Sequence, residues 1–380
     1  MSDIQVRPLP VRRIGYWMSE KKRRKLNLAY FADLCRRNNM ELVKVDLNRP
    51  LVEQGPFDVF IHKLSDVMAK AGLGDQRSHE ICTSIEEYLA RHPSTLVLDP
   101  LPRVRCLLDR YTQYSLLDNG PMSGLGDVFT PSFVELKTKD VTENLKLLRM
   151  ANVTFPFVCK PLVAHGSSSA HEMSIIFNEA GVQGVTPPCV AQTFVNHNAL
   201  LYKIFVIGDQ HFTIERPSIR NLYSGGQKTV FFHSGDVSGA NASSSLNDVE
   251  QADVPASVRP QPMKLSRLVD VVRERLQLAL CGIDVIVEHG TGRYAVIDIN
   301  AFPGYDGVPD LFEVLLGYIV QQLDRRDDKM TVCSARDDKM AARGSLVVSS
   351  RAVERENAYN RQQTMSLETA VRHNSWLLHA

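Results

Sequence analysis

No apolar run in this chain approaches the roughly 18 residues of a membrane-spanning helix. Its first residues also lack the apolar core of a secretory signal. The seven cysteines, at positions 35, 82, 106, 159, 189, 281 and 333, are scattered singly, and no two have metal-ligand or redox-pair spacing. Buried, reduced thiols and a cytoplasmic location are the expectation. An excess of one charge is missing too: 44 Lys and Arg against 43 Asp and Glu leave a formal charge of +1, which argues against a general nucleic-acid binder. The Gly-x-x-x-x-Gly-Lys-[Ser/Thr] signature is absent, so the chain is no P-loop protein.

What is present is an ordinary globular composition, 44% apolar and 23% charged, over 380 residues, enough for two or three domains. Charge is uneven within that balance. Residues 1–25 carry eight Lys or Arg against Asp3 and Glu20, a local anion-attracting surface. Val11 to Trp17 predicts a strand, and Ser19 can cap a helix that places Leu26, Tyr30, Phe31, Leu34 and Cys35 on one face. Strands are predicted at Met40 to Leu47, Val59 to His62 and Thr95 to Leu98, with a helix from Ser78 to Arg91. This alternation predicts an open, mostly parallel α/β domain, and such sheets bind phosphate-rich ligands at strand carboxyl ends. Lys21, Lys22 and Lys63 follow strands and fit that rim, although surface lysines at helix starts read the same way.

A helix after Pro102 carries Arg103, Arg105 and Arg110, which spacing leaves either solvated or phosphate-facing. Gly120 to Gly126 reads as a linker, and Leu145 to Met150 as part of a helix. Phe155 to Lys160 is a strand ending in a cation, followed by a Gly/Ser-rich loop with the composition of a phosphate cover. Pro188 to Phe194 and the strand through Lys203 to Ile207 offer apolar edges for a planar ring. A strand at Phe212 to Ile214 leads to Arg216 and Ser218, and residues 234–262 are rich in small and polar types. A helix from Met263 to Cys281 presents Leu265, Leu268, Val269, Val272, Leu276 and Leu280 at helical spacing.

The chemistry concentrates near the end of this span. Ile283 to Val287 and Ala295 to Asn300 predict two strands joined through Glu288 to Gly292. Residues two apart share a strand face, so Asp298 and Asn300 project together, and a hairpin sets Asp284 beside them. Two carboxylates and an amide oxygen make a hard-oxygen set suited to Mg²⁺. Turn chemistry alone also explains an Asp-x-Asn, but Asp284 within an apolar strand needs a partner or an ion. A last helix is predicted from Leu311 to Leu323. The polar tail after Arg325 holds Arg-Asp-Asp-Lys-Met twice and is expected to be disordered, with an amphipathic stretch at Leu367 to Leu378.

Taken together, Gly15-Tyr-Trp-Met-Ser-Glu-Lys-Lys22, Ile61-His-Lys-Leu-Ser-Asp66, Leu98-Asp-Pro-Leu-Pro102, Leu107-Leu-Asp-Arg110, Phe155-Pro-Phe-Val-Cys-Lys160, Ala164-His-Gly166, His171-Glu-Met173, Asn196-His-Asn198, Arg216-Pro-Ser218 and Asp298-Ile-Asn-Ala-Phe-Pro-Gly304 resemble the inositol-tetrakisphosphate 1-kinases (inositol-1,3,4-trisphosphate 5/6-kinases) of the ATP-grasp superfamily. The resemblance spans about residues 11 to 323. It implies an α/β ATP-grasp fold with an N-terminal open α/β (pre-ATP-grasp) domain and two α+β lobes clamping a nucleotide. The implied divisions are 1–117, an inositol-phosphate-binding domain; 118–203, a central lobe; 204–325, a C-terminal lobe with the metal site; and 326–380, the tail.

By resemblance, ATP is held by Arg110, Lys160, Gln192, Thr193, Phe194, Val195, Lys203, Ser218, Ser234 and Ser238. The inositol phosphate is held by Lys22, Lys63, His171, Lys203, Arg216, Asn300 and Gly304, and two Mg²⁺ ions by Asp284, Asp298 and Asn300. Lys160, Asp298 and Asn300 are the expected catalytic set. The implied activity is Mg²⁺-dependent phosphorylation of inositol 1,3,4-trisphosphate at position 5 or 6 and of the 3,4,5,6-tetrakisphosphate at position 1, with reversal allowed, by a monomer that neither binds nucleic acid nor inserts into membranes. The segment from Gly166 to Ala170 is one residue longer than the family pattern. Two other readings compete. An ATP-grasp carboxylate–amine ligase would use the same metal triad, but a small carboxylate does not call for so basic an N-terminal rim. A non-enzymatic inositol-phosphate binder would have no use for the triad and Lys160.

Overall fold

In the computed structural model, residues 10–118, 125–166, 168–240, 242–248 and 259–341 are described. Of the described residues, those up to Gln321 fall in one unit and those from 322 to 341 in another.

The first stretch alternates as its sequence predicts: β1 (Arg12–Trp17), α1 (Glu20–Lys25), α2 (Leu28–Arg37), β2 (Met40–Lys44), β3 (Val59–His62), α3 (Ser65–Gly72), α4 (Gln76–Arg91) and β4 (Leu96–Leu98). The strands form a wholly parallel sheet in the order β2-β1-β3-β4. Every residue of β3 is buried, as expected of a parallel strand covered on both faces. Ser19 caps α1 by accepting the Lys22 amide, but the single helix expected there is two. Asn27 takes the Tyr30 amide and starts α2 afresh, a case of a short polar side chain competing with the helix ladder.

The helix expected from Pro102 is likewise divided, into α5 (Leu101–Arg105) and α6 (Arg110–Asp118), because Asp109 accepts the Thr112 amide at 2.6 Å and opens a new N-terminus. Next come β5 (Val128–Phe129), β6 (Phe133–Leu136), α7 (Val141–Met150), β7 (Phe157–Pro161), β8 (Glu172–Ile176), β9 (Cys189–Thr193), β10 (Leu200–Ile207), β11 (Gln210–Pro217), β12 (Val230–His233) and α8 (Ser234–Ser238). The chain continues through α9 (Pro262–Leu276), β13 (Leu280–Val287), β14 (Tyr294–Ala301) and α10 (Leu311–Ala341).

These strands make two five-stranded sheets, β12-β8-β7-β9-β6 and β11-β10-β13-β14-β5. Sheet membership does not follow chain order. β5 joins the second sheet before β6 enters the first, and β12 returns to the first after β11. The division expected between residues 203 and 204 falls inside β10.

Two further expectations are corrected. The helix predicted to reach Cys281 ends at Leu276, where Gln277 adopts φ 54° as a left-handed cap. Leu280 and Cys281, apolar enough for either pattern, open β13 instead. The last helix runs to Ala341, past the predicted end at Leu323, so positions 326–341 of the tail expected to be disordered are helical. Leu367 to Leu378 lie outside the described residues.

A single apolar core runs from the N-terminal domain (Phe60, Leu64, Leu107) into the sheet that carries Asp284 (Ile204, Ile283, Ile299) and the face of α9 (Leu265, Leu268, Val272). The other sheet has its own core, with Leu148, Phe157 and Ile176 on one face and Val158, Ile175 and Ile219 on the other.

Candidate active site

Three neighbouring antiparallel strands set one row of polar residues. Lys203 on β10 lies opposite Asp284 on β13, which lies opposite Asp298 on β14. Cross-strand partners share a face, so the expected hairpin places Asp284 beside Asp298, with Asn300 two residues on. Lys203 Nζ is 3.2 Å from Asp284 Oδ2, and Asn300 Nδ2 donates to Asp298 Oδ2 at 3.1 Å. Burial raises the pKa of Asp284, against the pull of Lys203. Asp284 Oδ1 and Asp298 Oδ1 are buried without a hydrogen-bond partner among the described residues. Two orphaned carboxylate oxygens a strand apart, with an amide beside them, fit a divalent cation that prefers oxygen donors.

The ladder slips at this point. Val285 pairs with Val296 while Asp284 pairs with Asp298, so Ile297 is an extra residue, a β-bulge. The Ile297 carbonyl is free to accept elsewhere, and it takes Tyr114 Oη at 3.0 Å and Lys160 Nζ at 2.8 Å. Lys160 Nζ also donates to Tyr114 Oη and Gln192 Oε1, at 2.9 and 2.7 Å, which spends all three of its hydrogens. Burial lowers its pKa to about 8, with Asp298 acting in the opposite sense. Lys160 thus ties β7 and β9 to β14. Arg110, the first residue of α6, is buried and donates to Pro161 O at 2.7 Å and Ala170 O at 3.2 Å. Both acceptors flank the loop after β7, and Arg110 Nε has no partner among the described residues.

The end of β14 and the loop after it gather three cations from distant segments. Lys22 Nζ donates to Pro303 O, Lys63 Nζ to Ala301 O and Arg216 Nη2 to Asp306 O. Lys22 also lies 4.7 Å from the Phe302 ring centroid. Desolvation and then the neighbouring Lys63 lower the Lys22 pKa to about 7, and desolvation lowers that of Lys63 to about 8. Phe302 and Tyr305 hold positive φ, 41° and 59°, a costly backbone that a functional loop retains. A Cβ at Gly304 would stand 2.5 Å from Asp306 Oδ2.

His171 Nδ1 is 3.3 Å from Ser234 Oγ, its ring is 5.4 Å from that of His233, and Ser238 Oγ donates to Ser234 O at 3.0 Å. Burial and then His233 push the His171 pKa down. His171, Ser234 and Ser238 are therefore neighbours. In the segment expected to face a nucleotide base, the Thr193 amide donates to Ser132 O and the Phe194 amide to Pro156 O. Gln192 and Val195 are buried. Ser218 is buried too, with its Oγ 2.7 Å from His197 Nε2. His197 Nδ1 donates to Val195 O at 2.6 Å, and burial lowers its pKa to about 4. This neutral tautomer makes Nε2 an acceptor, so the Ser218 hydroxyl is the donor.

Several residues at the site escaped sequence reasoning. Gln113 and Tyr114 lie three and four positions after Arg110, one helical face, a spacing that could have found them. His165 is held neutral by burial and the cations Lys63 and Arg110, with its pKa pushed down to about 3, and its Nε2 has no partner among the described residues. The Asp99 carboxylate accepts the Ala279 and Leu280 amides at 2.7 and 2.8 Å, anchoring the start of β13.

Comparison with known proteins decides the family. Residues 13–104 match the inositol 1,3,4-trisphosphate 5/6-kinase pre-ATP-grasp domain, and residues 123–321 match the ATP-grasp domain of the same name. The chain belongs to the inositol 1,3,4-trisphosphate 5/6-kinase family. It is 44% identical to an inositol-tetrakisphosphate 1-kinase of Xenopus laevis over 83% of this chain and 80% of that one. Against an inositol-tetrakisphosphate 1-kinase 1 of Oryza sativa subsp. indica the identity is 33%, over 82% of this chain and 85% of the relative. Among solved structures, D-cycloserine synthetase DcsG aligns with a TM-score of 0.53 at 13% identity, over 83% of this chain and 99% of that one. The D-alanine–D-alanine ligase of Bacillus anthracis aligns at 0.51 and 13%, over 84% and 99%. These two likenesses concern the fold, which is ATP-grasp.

Proposed function

We propose that this kinase transfers the γ-phosphoryl group of ATP to a free hydroxyl of an inositol polyphosphate: position 5 or 6 of the 1,3,4-trisphosphate and position 1 of the 3,4,5,6-tetrakisphosphate, with the reverse transfer open to it. The observation that carries the reading is the juxtaposition of two orphaned carboxylate oxygens, on Asp284 and Asp298, with the lysine set around the loop after β14. A small carboxylate acceptor, as in a ligase, gives no use for Lys22, Lys63 and Arg216 on one loop.

Asp284, Asp298 and Asn300 would hold Mg²⁺. When bound, the ion would neutralise charge on the nucleotide phosphates and align them. Arg110 and Lys160 balance what charge remains, and Gln192 to Val195 line the base side, with Ser218, Ser234 and Ser238 beyond. Lys22, Lys63, His171, Lys203, Arg216, Asn300 and Gly304 clamp the phosphorylated ring, so that one hydroxyl lies in line with the γ-phosphorus. Lys22 and Lys63 give up carbonyl partners for phosphates, an exchange of neutral acceptors for charged ones.

No helix among the described residues is long and apolar enough to cross a membrane. Cys35, Cys82, Cys106, Cys159, Cys189 and Cys281 are unpaired, which supports a reducing compartment. We assign the protein to the cytoplasm as a monomer. The deciding experiment supplies inositol tris- and tetrakisphosphate isomers with ATP and Mg²⁺ and maps the position of each new phosphate. ATP consumption independent of any inositol phosphate would overturn the reading.

A further inference from the structure

β14 is an incompletely paired strand. On the side away from β13, β5 covers only Tyr294 and Ala295. The next part of that edge, which carries Asp298, is met by side chains of α6 rather than by a strand. Gln113 is fully buried there, and its amide acts as a surrogate strand residue: Nε2 donates to Ile299 O, while Oε1 accepts the Ile299 amide at 3.1 Å. Tyr114 Oη closes the preceding gap by donating to the bulged Ile297 carbonyl. Asp298 therefore stands between two residues whose backbones are gripped from one helix. That helix begins at Arg110.

We infer that Gln113 is a positioning residue for divalent-cation binding, fixing through Ile299 the direction in which Asp298 and Asn300 present their oxygens. The inference rests on the proposed metal role of those two residues. An amide that both donates to and accepts from one backbone residue fixes rotation as well as place, and this suits a pair of ligands on either side of that residue. The linkage also joins Arg110 to the carboxylates through one rigid element, so the cation that balances nucleotide charge and the site that holds the ion are set at a fixed separation.

Gln113→Met keeps the length and removes both the donor to Ile299 O and the acceptor of the Ile299 amide, whereas a buried glutamic acid would protonate and restore both. Mn²⁺ binding to the full chain, read by electron paramagnetic resonance without nucleotide, is expected to weaken by about tenfold or more, the usual cost of losing a group that orients a ligand. The Mg²⁺ concentration for half-maximal transfer should rise in parallel, with kcat recovering at high Mg²⁺. Should Gln113→Met not fold, Gln113→Leu, shorter and likewise without hydrogen bonds, carries the same measurements. Unchanged Mn²⁺ affinity with only a lowered melting temperature would overturn the inference. Asp298→Asn tests the underlying reading separately: if it binds Mn²⁺ like the wild type, the metal assignment fails whatever Gln113 does.

Discussion

Lys203 Nζ approaches Asp284 Oδ2 to 3.2 Å across one rung of the β10–β13 ladder. One residue proposed for the phosphorylated ligands thus neutralises one proposed for the metal, so filling either site changes what the other residue faces. Lys203→Ala should raise the KM for inositol phosphate about tenfold with a smaller change in that for ATP. Leaving Asp284 unpaired should also lower stability by up to about 3 kcal/mol. Steady-state kinetics with both substrates varied, together with urea unfolding, check both parts. An unchanged inositol-phosphate KM would count against the clamp.

Asp298 is the carboxylate on which the proposed metal, the Asn300 amide and the bulge converge. Asp298→Ala is expected to reduce transfer at least about a thousandfold, the loss of roughly 4 kcal/mol of charge stabilisation. Near-UV circular dichroism should match the wild type. A variant that turns over at the normal rate would remove the metal assignment.

If Lys22 and Lys63 hold the phosphates as proposed, binding should depend on pH. Lys22 has its pKa lowered to about 7 from an ordinary 10.5, and Lys63 to about 8. Between those values and 10.5 the unfolded chain binds more protons than the folded one, so these groups make stability rise with pH over that window. Binding a polyphosphate works in the opposite direction, because its charge recharges the lysines and draws protons in. Affinity should therefore fall as pH rises above about 7. Calorimetry at pH 8 in two buffers of different ionisation enthalpy should show uptake of about one proton per ligand bound. Zero uptake would refute the linkage.

Ser218 offers a test of hydroxyl economy. Its hydrogen is committed to His197 Nε2, and His197 in turn holds the Val195 carbonyl. Ser218→Ala should cost about 1–2 kcal/mol of stability by leaving a buried imidazole nitrogen unsatisfied. ADP affinity should change by less than about threefold if the hydroxyl acts through His197. A tenfold weakening would place it on the nucleotide directly.

The parts of this molecule that the sequence exposed are those governed by short-range periodicity. Alternation put Asp298 and Asn300 on one face, and the run of turn residues after Val287 implied the hairpin that brings Asp284 across. The shape of the first parallel sheet followed from the same logic. Ile297 was read simply as part of the strand, because nothing in Ala-Val-Ile-Asp-Ile-Asn distinguishes a bulge from regular pleating. Gln113 shares a helical face with Arg110, but its role as a partner of Ile299 shows only once the far edge of β14 is known to lack a strand. The carbonyl partners of Lys22 and Lys63, far away in sequence, are set by tertiary packing that no local pattern encodes. Likewise the end of α9 was overrun because Leu280 and Cys281 suit a helix face as well as a strand, and the Asp99 carboxylate that receives the Ala279 and Leu280 amides comes from another domain.

The order in which strands enter the two large sheets has a consequence for inheritance. β5 lends itself to the sheet of β14 before the central sheet has begun, and β12 goes back to the central sheet after β11 has finished the other side. A cut near residue 203 would sever β10 itself, and no single crossover point yields one intact half. A single recombination crossover therefore cannot exchange one of the two five-stranded sheets and leave the other whole.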